Sequence, residues 1–400
     1  MAAVVIAGGF LALASVVALA GPRGPGPTAP WLPLHLALAG GATTAIAGVM
    51  PFFVAALAAG HPANARVRGA AVALIATGAL LVSVRGVAPS AVWVAGAGGF
   101  VFLTGVAATA VATRQAGRAG LMVRRPIVSL GYSAALANLA VGASLGTLAA
   151  IGATPVLERW AMLRPAHAWA NLVGFVSVVF VATLLHFLPT VLGTRIVPRR
   201  TAVVAVLAPA LGVPLVVAGL VVGLPAAAAG GATVVLVGAI ALGVEAVATV
   251  RARGRWTTEP GWHLVVEAGL VAGIAWYAIG IALATGRLAA FAVGAAPDGW
   301  STPLVAAPLA VGWVVQVMVS SWTHLLPSIG PGDPPAHARQ RAVLGRWAAP
   351  RLVALNLGAA LLALAWPTGA AELAGVGVGV VAVAVLASIA LGGLAIRAGH

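Results

Sequence analysis

The sequence predicts an all-α polytopic membrane protein of twelve transmembrane helices, and three observations carry that prediction. Of 400 residues 62% are hydrophobic and 7% charged, with a mean hydropathy of +1.08, whereas soluble domains carry about 25% charged residues. Apolar runs long enough to cross a bilayer, roughly 20 residues each, recur along the whole chain. The positive charges also fall in alternate loops. Lipid offers backbone groups no water to bond, and the runs are continuous rather than alternating, so helices are expected rather than barrel strands.

The first run, about 2–21, ends Ala-Leu-Ala-Gly like a leader-peptide cleavage site. No positive charge precedes it, so it reads as a retained helix. The second, about 32–58, opens Pro33-Leu34-His35 and holds Pro51 late in its length. The third, fourth and fifth, about 69–88, 90–113 and 129–153, are plain apolar spans. The sixth, about 165–193, has a histidine at each end, His167 and His186. The seventh and eighth follow at about 201–223 and 230–250, the eighth with Glu245 near its end. The ninth, about 263–285, carries His263 and Glu267, four apart and hence on one helical face. The tenth, about 302–326, ends at His324, and the last two run at about 347–367 and 373–396. Prolines 51, 189 and 327 are expected to kink or end their helices. Loops are short, the longest structureless ones roughly 15–20 residues, so the chain reads as one integral membrane domain over 1–400.

Arginine placement tests the count. The chain has no lysine, so all 22 positive charges are arginines. With twelve spans, the loops after even-numbered spans and both termini share one face. That face receives 17 arginines and the other receives 5, namely Arg23, Arg85, Arg159, Arg164 and Arg287. The bias predicts a multi-pass protein of the inner (plasma) membrane with both termini cytoplasmic. The net charge of +15 then reflects topology and contact with anionic lipid; nothing reads as a nucleic-acid module. Trp31, Trp160, Trp256, Trp262, Trp300, Trp347 and Trp366 fall near span ends, where interface anchors belong. Zero cysteines exclude disulfides, thiolate metal sites and a blue-copper or dinuclear copper centre. No phosphate loop, nucleophile triad or paired-carboxylate hydrolase site is visible.

Setting Pro165 on Pro303, a shift of 138 positions, lays the sixth span on the tenth. Gly174 then meets Gly312, Phe175 meets Trp313, and His-Phe-Leu-Pro at 186–189 meets His-Leu-Leu-Pro at 324–327. The second span matches less well. Its His35 aligns with His167 at a shift of 132, its Pro51 with Pro189 at 138. Spans two, six and ten as equivalents predict three four-helix units, about 1–125, 126–255 and 256–400, in a ring with pseudo-threefold symmetry.

These residues resemble subunit I of the heme-copper oxidases, whose twelve helices form three four-helix arcs and whose tenth helix carries a signature from His-x-His to His-Trp-Phe-Pro. Counted back from Pro189, His167 stands where that signature places a heme ligand. His186 falls on the closing histidine, which is not a metal ligand in the family. The segment is also similar to the NnrS family of twelve-span heme and copper proteins linked to nitric oxide. It is similar too to the membrane region of some bacterial copper nitrite reductases. The resemblance implies heme b, and copper beside it, in a redox protein of respiratory or nitrogen-oxide metabolism served by a cupredoxin or cytochrome partner. Three departures count against a proton-pumping terminal oxidase. Trp169 stands where the second signature histidine belongs, the best match is the sixth span rather than the tenth, and the seventh span lacks the copper-binding histidine pair.

Two sets of ionisable residues are therefore expected. His35 and His167 open their spans on the arginine-poor face, either as axial ligands of one heme or as interfacial groups bonding water. The 132 register puts them at equal depth; the 138 register offsets them by six residues, about 9 Å. His167 and His186 are separated by about 28 Å of helix and cannot share a metal. At the other face His186, His263, His324, Glu245 and Glu267 form a slab that can bind copper or zinc or carry protons. In the opposing reading the two glutamates pair with Arg251, Arg253 or Arg255, and the histidines cap helix ends. His61, His337 and His400 are expected in solvated loops or the tail, and Asn138, Asn171 and Asn356 as donors between helices. Besides the redox protein, a metal-ion or small-solute transporter and a cofactor-free scaffold stay open.

Overall fold

A computed structural model of the chain describes residues 1–21, 31–58, 60–118, 126–197, 199–254, 258–330 and 332–399. Twelve helices are long and apolar enough to cross a membrane: Ala2–Ala20, Trp31–Leu57, Ala65–Gly86, Val92–Gly117, Pro126–Ala150, Trp160–Val191, Arg200–Val222, Pro225–Arg251, Pro260–Ala292, Leu304–Ser328, Ala348–Ala365 and Ala371–Arg397. They are numbered here as spans in that order. No strand occurs among the described residues. The connections are less bare than expected: Thr154–Leu157 and Pro334–Leu344 are short helices, the latter begun by Asp333, whose carboxylate accepts from the Ala336 N–H. Asp at that position satisfies a backbone donor the first turn leaves open.

Consecutive spans pack as hairpins in the pairs three–four, seven–eight and eleven–twelve. Spans four and five, eight and nine, and twelve and one lie side by side. Small residues set the closeness. A β-carbon at Gly212 of span seven would lie 2.6 Å from the Gly231 carbonyl of span eight, and one at Gly231 would lie 2.7 Å from the Gly212 carbonyl. Two helix backbones touch there, as glycine permits within lipid.

Spans six, ten and two are the most enclosed: 89%, 83% and 61% of the residues in their most apolar stretches are buried, against at most 56% elsewhere. These three spans therefore lie innermost among the twelve. Each also contains a π-helical segment, Leu36–Ala42, Trp169–Ser177 and Ala307–Val315. Such a wide turn is rare and is enriched at functional sites. Thr43 and Ser177 close the first two by donating to the carbonyls five residues back, Leu38 and Leu172. The segment of span ten lies against those of spans two and six, and the Trp313 indole donates to the Ser177 hydroxyl across 3.0 Å.

Span six contacts span five as span ten contacts span nine. A β-carbon at Gly174 would strike Asn138, and one at Gly312 would strike Trp276; Gly142 faces Asn171, and Gly280 faces Leu309. In each case the second contact joins the counterparts of the first under the shift that sets Pro165 on Pro303. Pro189 and Pro327 stand two residues before their helices end at Val191 and Ile329, as expected. Pro51 does not end its helix, which runs on to Ala58. The asparagines depart from expectation. The amides of Asn138, Asn171 and Asn356 donate to carbonyls four residues back in their own helices. Among the described hydrogen bonds, Asn356 joins two spans as acceptor rather than donor, from the Trp276 indole at 2.7 Å.

Candidate functional site

Span two begins Trp31-Leu32-Pro33-Leu34-His35, so the histidine ends the first α-turns immediately before the π-helical segment. Its Nδ1 lies 2.8 Å from the Trp31 carbonyl, and the Trp31 ring stacks on the imidazole with centroids 4.2 Å apart. Gly86, at the end of span three, lies beneath Trp31: a β-carbon there would come 2.9 Å from the indole.

His167 occupies the matching place, two residues before the π-helical segment of span six. Its Nδ1 is 2.8 Å from the carbonyl of Gly142 in span five. A β-carbon at Gly146 would lie 2.6 Å from its Cε1. Gly142-Ala-Ser-Leu-Gly146 thus forms a flat patch on span five against which the imidazole lies. The Asn171 amide, which donates to the His167 carbonyl at 2.9 Å, lies 3.2 Å from the same Nδ1. Trp160 approaches the ring at 6.2 Å.

A carbonyl can only accept, so the contacts to Trp31 and Gly142 call for the hydrogen on Nδ1 of each ring, and the Asn171 amide then serves the His167 carbonyl rather than Nδ1. Each Nε2 is then the basic nitrogen, a lone pair in a fixed orientation. A metal-ligating histidine is set up in this way, with its other ring N–H held by a carbonyl.

The two rings lie 6.2 Å apart, centroid to centroid, with their planes 13° from parallel. Imidazoles bound on opposite sides of one metal, each about 2 Å from it, have ring centres roughly 6 Å apart. The histidines of spans two and six therefore meet at one depth, as the 132 register requires. The offset of six residues that the 138 register requires does not occur at this end. The π-helical segment of span two has 7 residues and that of span six has 9, which absorbs two residues of the difference between the registers.

The second expected set does not gather. Among the described residues no group of three or more His, Cys, Asp or Glu side chains is placed to hold a metal ion. Glu267 pairs with Arg253 at 2.6 Å. Glu245 pairs with Arg199 at 3.5 Å and accepts a short hydrogen bond from Thr201. Arg253 is among the partners expected from the sequence; Arg199 is not, because it reaches span eight from the start of span seven. The histidines enter aromatic contacts instead. His186 meets Phe53 edge-on at 5.4 Å, and His324 lies between Phe187, edge-on at 5.5 Å, and Trp262, stacked at 5.3 Å. Trp262 also meets His263 at 4.8 Å and donates its indole N–H to the Thr323 carbonyl. This layer joins spans two, six, nine and ten at the end remote from His35 and His167.

Trp169, in the place of the second signature histidine, is fully buried, and its indole N–H makes no hydrogen bond among the described residues. His61 is exposed as expected; His337 is half-buried, not solvated; His400 and Trp256 lie outside the described residues.

Sequence reasoning missed Gly142, Gly146 and Gly86. The spacing Gly-x-x-x-Gly on span five was a legible signal of close approach, but it does not say whether a helix or an imidazole makes that approach. Compared with known proteins, the chain matches no protein-family model and no curated protein.

Proposed function

We propose that the chain is an integral membrane redox protein in which His35 and His167 are the two axial ligands of one heme. One observation carries this reading: two imidazoles from different spans, each with Nδ1–H held by a carbonyl, lie 6.2 Å apart with near-parallel planes. The donor set favours a heme over a bare ion. Zinc and copper sites draw three or four ligands from side chains, and no third ligating side chain joins the pair among the described residues. A heme needs only two, because its macrocycle fills the other four positions. The residues present therefore fit a bis-imidazole heme better than a bare ion.

A heme held by His35 and His167 would supply one-electron transfer. The protein's part is to hold the pair. Trp31 and Gly86 fix the His35 ring, and Gly142, Gly146 and Asn171 fix the His167 ring. Both histidines lie within the first eight residues of their spans, which supports a site near one membrane face, open to a soluble cupredoxin or cytochrome. A ring of three four-helix units belongs to the same reading. It is supported by the central spans two, six and ten, their π-helical segments, and the contacts that recur between spans five–six and nine–ten.

The test is the absorption spectrum and the iron content of the detergent-purified protein. A Soret band and about one iron per chain are expected. Both should be lost in His35→Ala and in His167→Ala while circular dichroism still reports the helical content of the unaltered protein. Protein expressed with ample heme but lacking a Soret band and iron would overturn the proposal and leave the scaffold or transport readings.

A further inference from the structure

Independently of the heme, we propose that a cavity between spans five, six, seven and eight binds one phospholipid with an anionic headgroup. The cavity measures about 340 Å³, within the range of ~300–1,000 Å³ common for ligand sites. Its walls are apolar and include Ile127 of span five, Leu184 and Leu188 of span six, and Leu242 of span eight. Arg195 and Arg199, with Thr194, lie at its mouth.

The local chain explains the opening. After Pro189 the sixth span ends, Gly193 turns the backbone at φ +63°, and residues 194–197 cross over the helix ends without regular structure. That segment brings Arg195 into the lining, which Arg199 joins from the start of span seven. Glu245 contributes a carboxylate to the lining, but Arg199 and Thr201 already hold it. Arg195 takes part in none of the ion pairs among the described residues. The mouth therefore carries one net positive charge.

Charge alone would suit a free phosphate as well. The surroundings favour a lipid: Val197 and Val203, both at the rim, are 51% and 40% exposed. Exposed valines beside arginines suit an amphiphile better than a small hydrated anion. Apolar walls below arginines at a helix end suit an amphiphile, its acyl chain in the cavity and its phosphate at Arg195. Basic pockets between spans on the arginine-rich side are a general mode of anionic-lipid recognition.

The experiment is native mass spectrometry of the whole, delipidated protein titrated with phosphatidylglycerol, phosphatidylcholine or inorganic phosphate. Phosphatidylglycerol is expected to bind at least about tenfold more tightly than phosphatidylcholine, with inorganic phosphate not competing. Arg195→Ala should remove that preference and Arg195→Lys should keep most of it. Ala246→Leu, which fills the cavity from span eight, should weaken both lipids. Equal binding of the two phospholipids by the unaltered protein would overturn the proposal, and that measurement needs no variant to fold. Full competition by inorganic phosphate would overturn it in favour of a free-anion site.

Discussion

Gly146 shows how much of the candidate site depends on an atom that glycine lacks. A β-carbon there would sit 2.6 Å from Cε1 of His167 and 3.0 Å from its Nδ1, so the ring has to move or its bond to the Gly142 carbonyl has to break. Changing a group that orients a metal ligand commonly costs about 10–100-fold in affinity. Gly146→Ala is accordingly expected to weaken heme retention at least about tenfold while leaving the thermal unfolding of the heme-free protein nearly unchanged; equal retention by both proteins would mean the seat is dispensable. The histidines themselves were legible in the sequence, because so few polar side chains occur in runs this apolar. Their hydrogen bonds were not. The partner of His35 is in its own helix and that of His167 is in the neighbouring span. The five ionisable groups at the other end show the converse. Similar depth suggested a cluster, but depth fixes only one coordinate, and each glutamate had an arginine nearer at hand.

At the scale of the helix, all twelve spans were readable, since length and apolarity are all that a bilayer requires. The π-helical segments were not. Their only trace was the clash between two registers, 132 and 138, in matching span two to span six; a widened turn moves residues around and along the axis without changing composition. Helix contacts were partly readable from glycine, but which glycines count depends on what they face. Gly212 and Gly231 meet backbone to backbone, whereas Gly230 has open space around it. Gly212→Val should lower the stability of the bundle by about 1–3 kcal/mol, the usual cost of forcing extra volume into close packing, and Gly230→Val by almost nothing. The comparison can be read from paired thermal melts in one detergent, and similar melting temperatures would refute the close approach of spans seven and eight.

For the whole molecule, the charge asymmetry sharpens once the carboxylates are placed. On the face holding the termini, seventeen arginines stand against Glu245, Glu259, Glu267 and Asp333, leaving +13; on the opposite face five stand against Glu158, Asp298 and Glu372, leaving +2. Asp298 is shared by Arg164 and Arg287 there, so that face is nearly neutral. Orientation follows the arginines, and the absence of cysteine gives a clean background for testing it. The single replacement His61→Cys should react with a membrane-impermeant thiol reagent only from the cytoplasmic side, and Thr154→Cys only from the other. A reversed or mixed pattern would overturn the topology.

The first and twelfth spans lie side by side, and the carbonyl of Ala398 accepts from Arg339 in the connection after span ten. A bundle whose first span rests on its twelfth stays open along one side until that twelfth span arrives. During synthesis the opening segment must wait in the bilayer, one flank bare to lipid, while the rest of the polypeptide is threaded in. Truncation before residue 371 should therefore leave that flank uncovered, exposing the unfinished protein to membrane quality-control proteases. The same closure would let the chain be cut at another loop and rejoined head to tail without disturbing its neighbours.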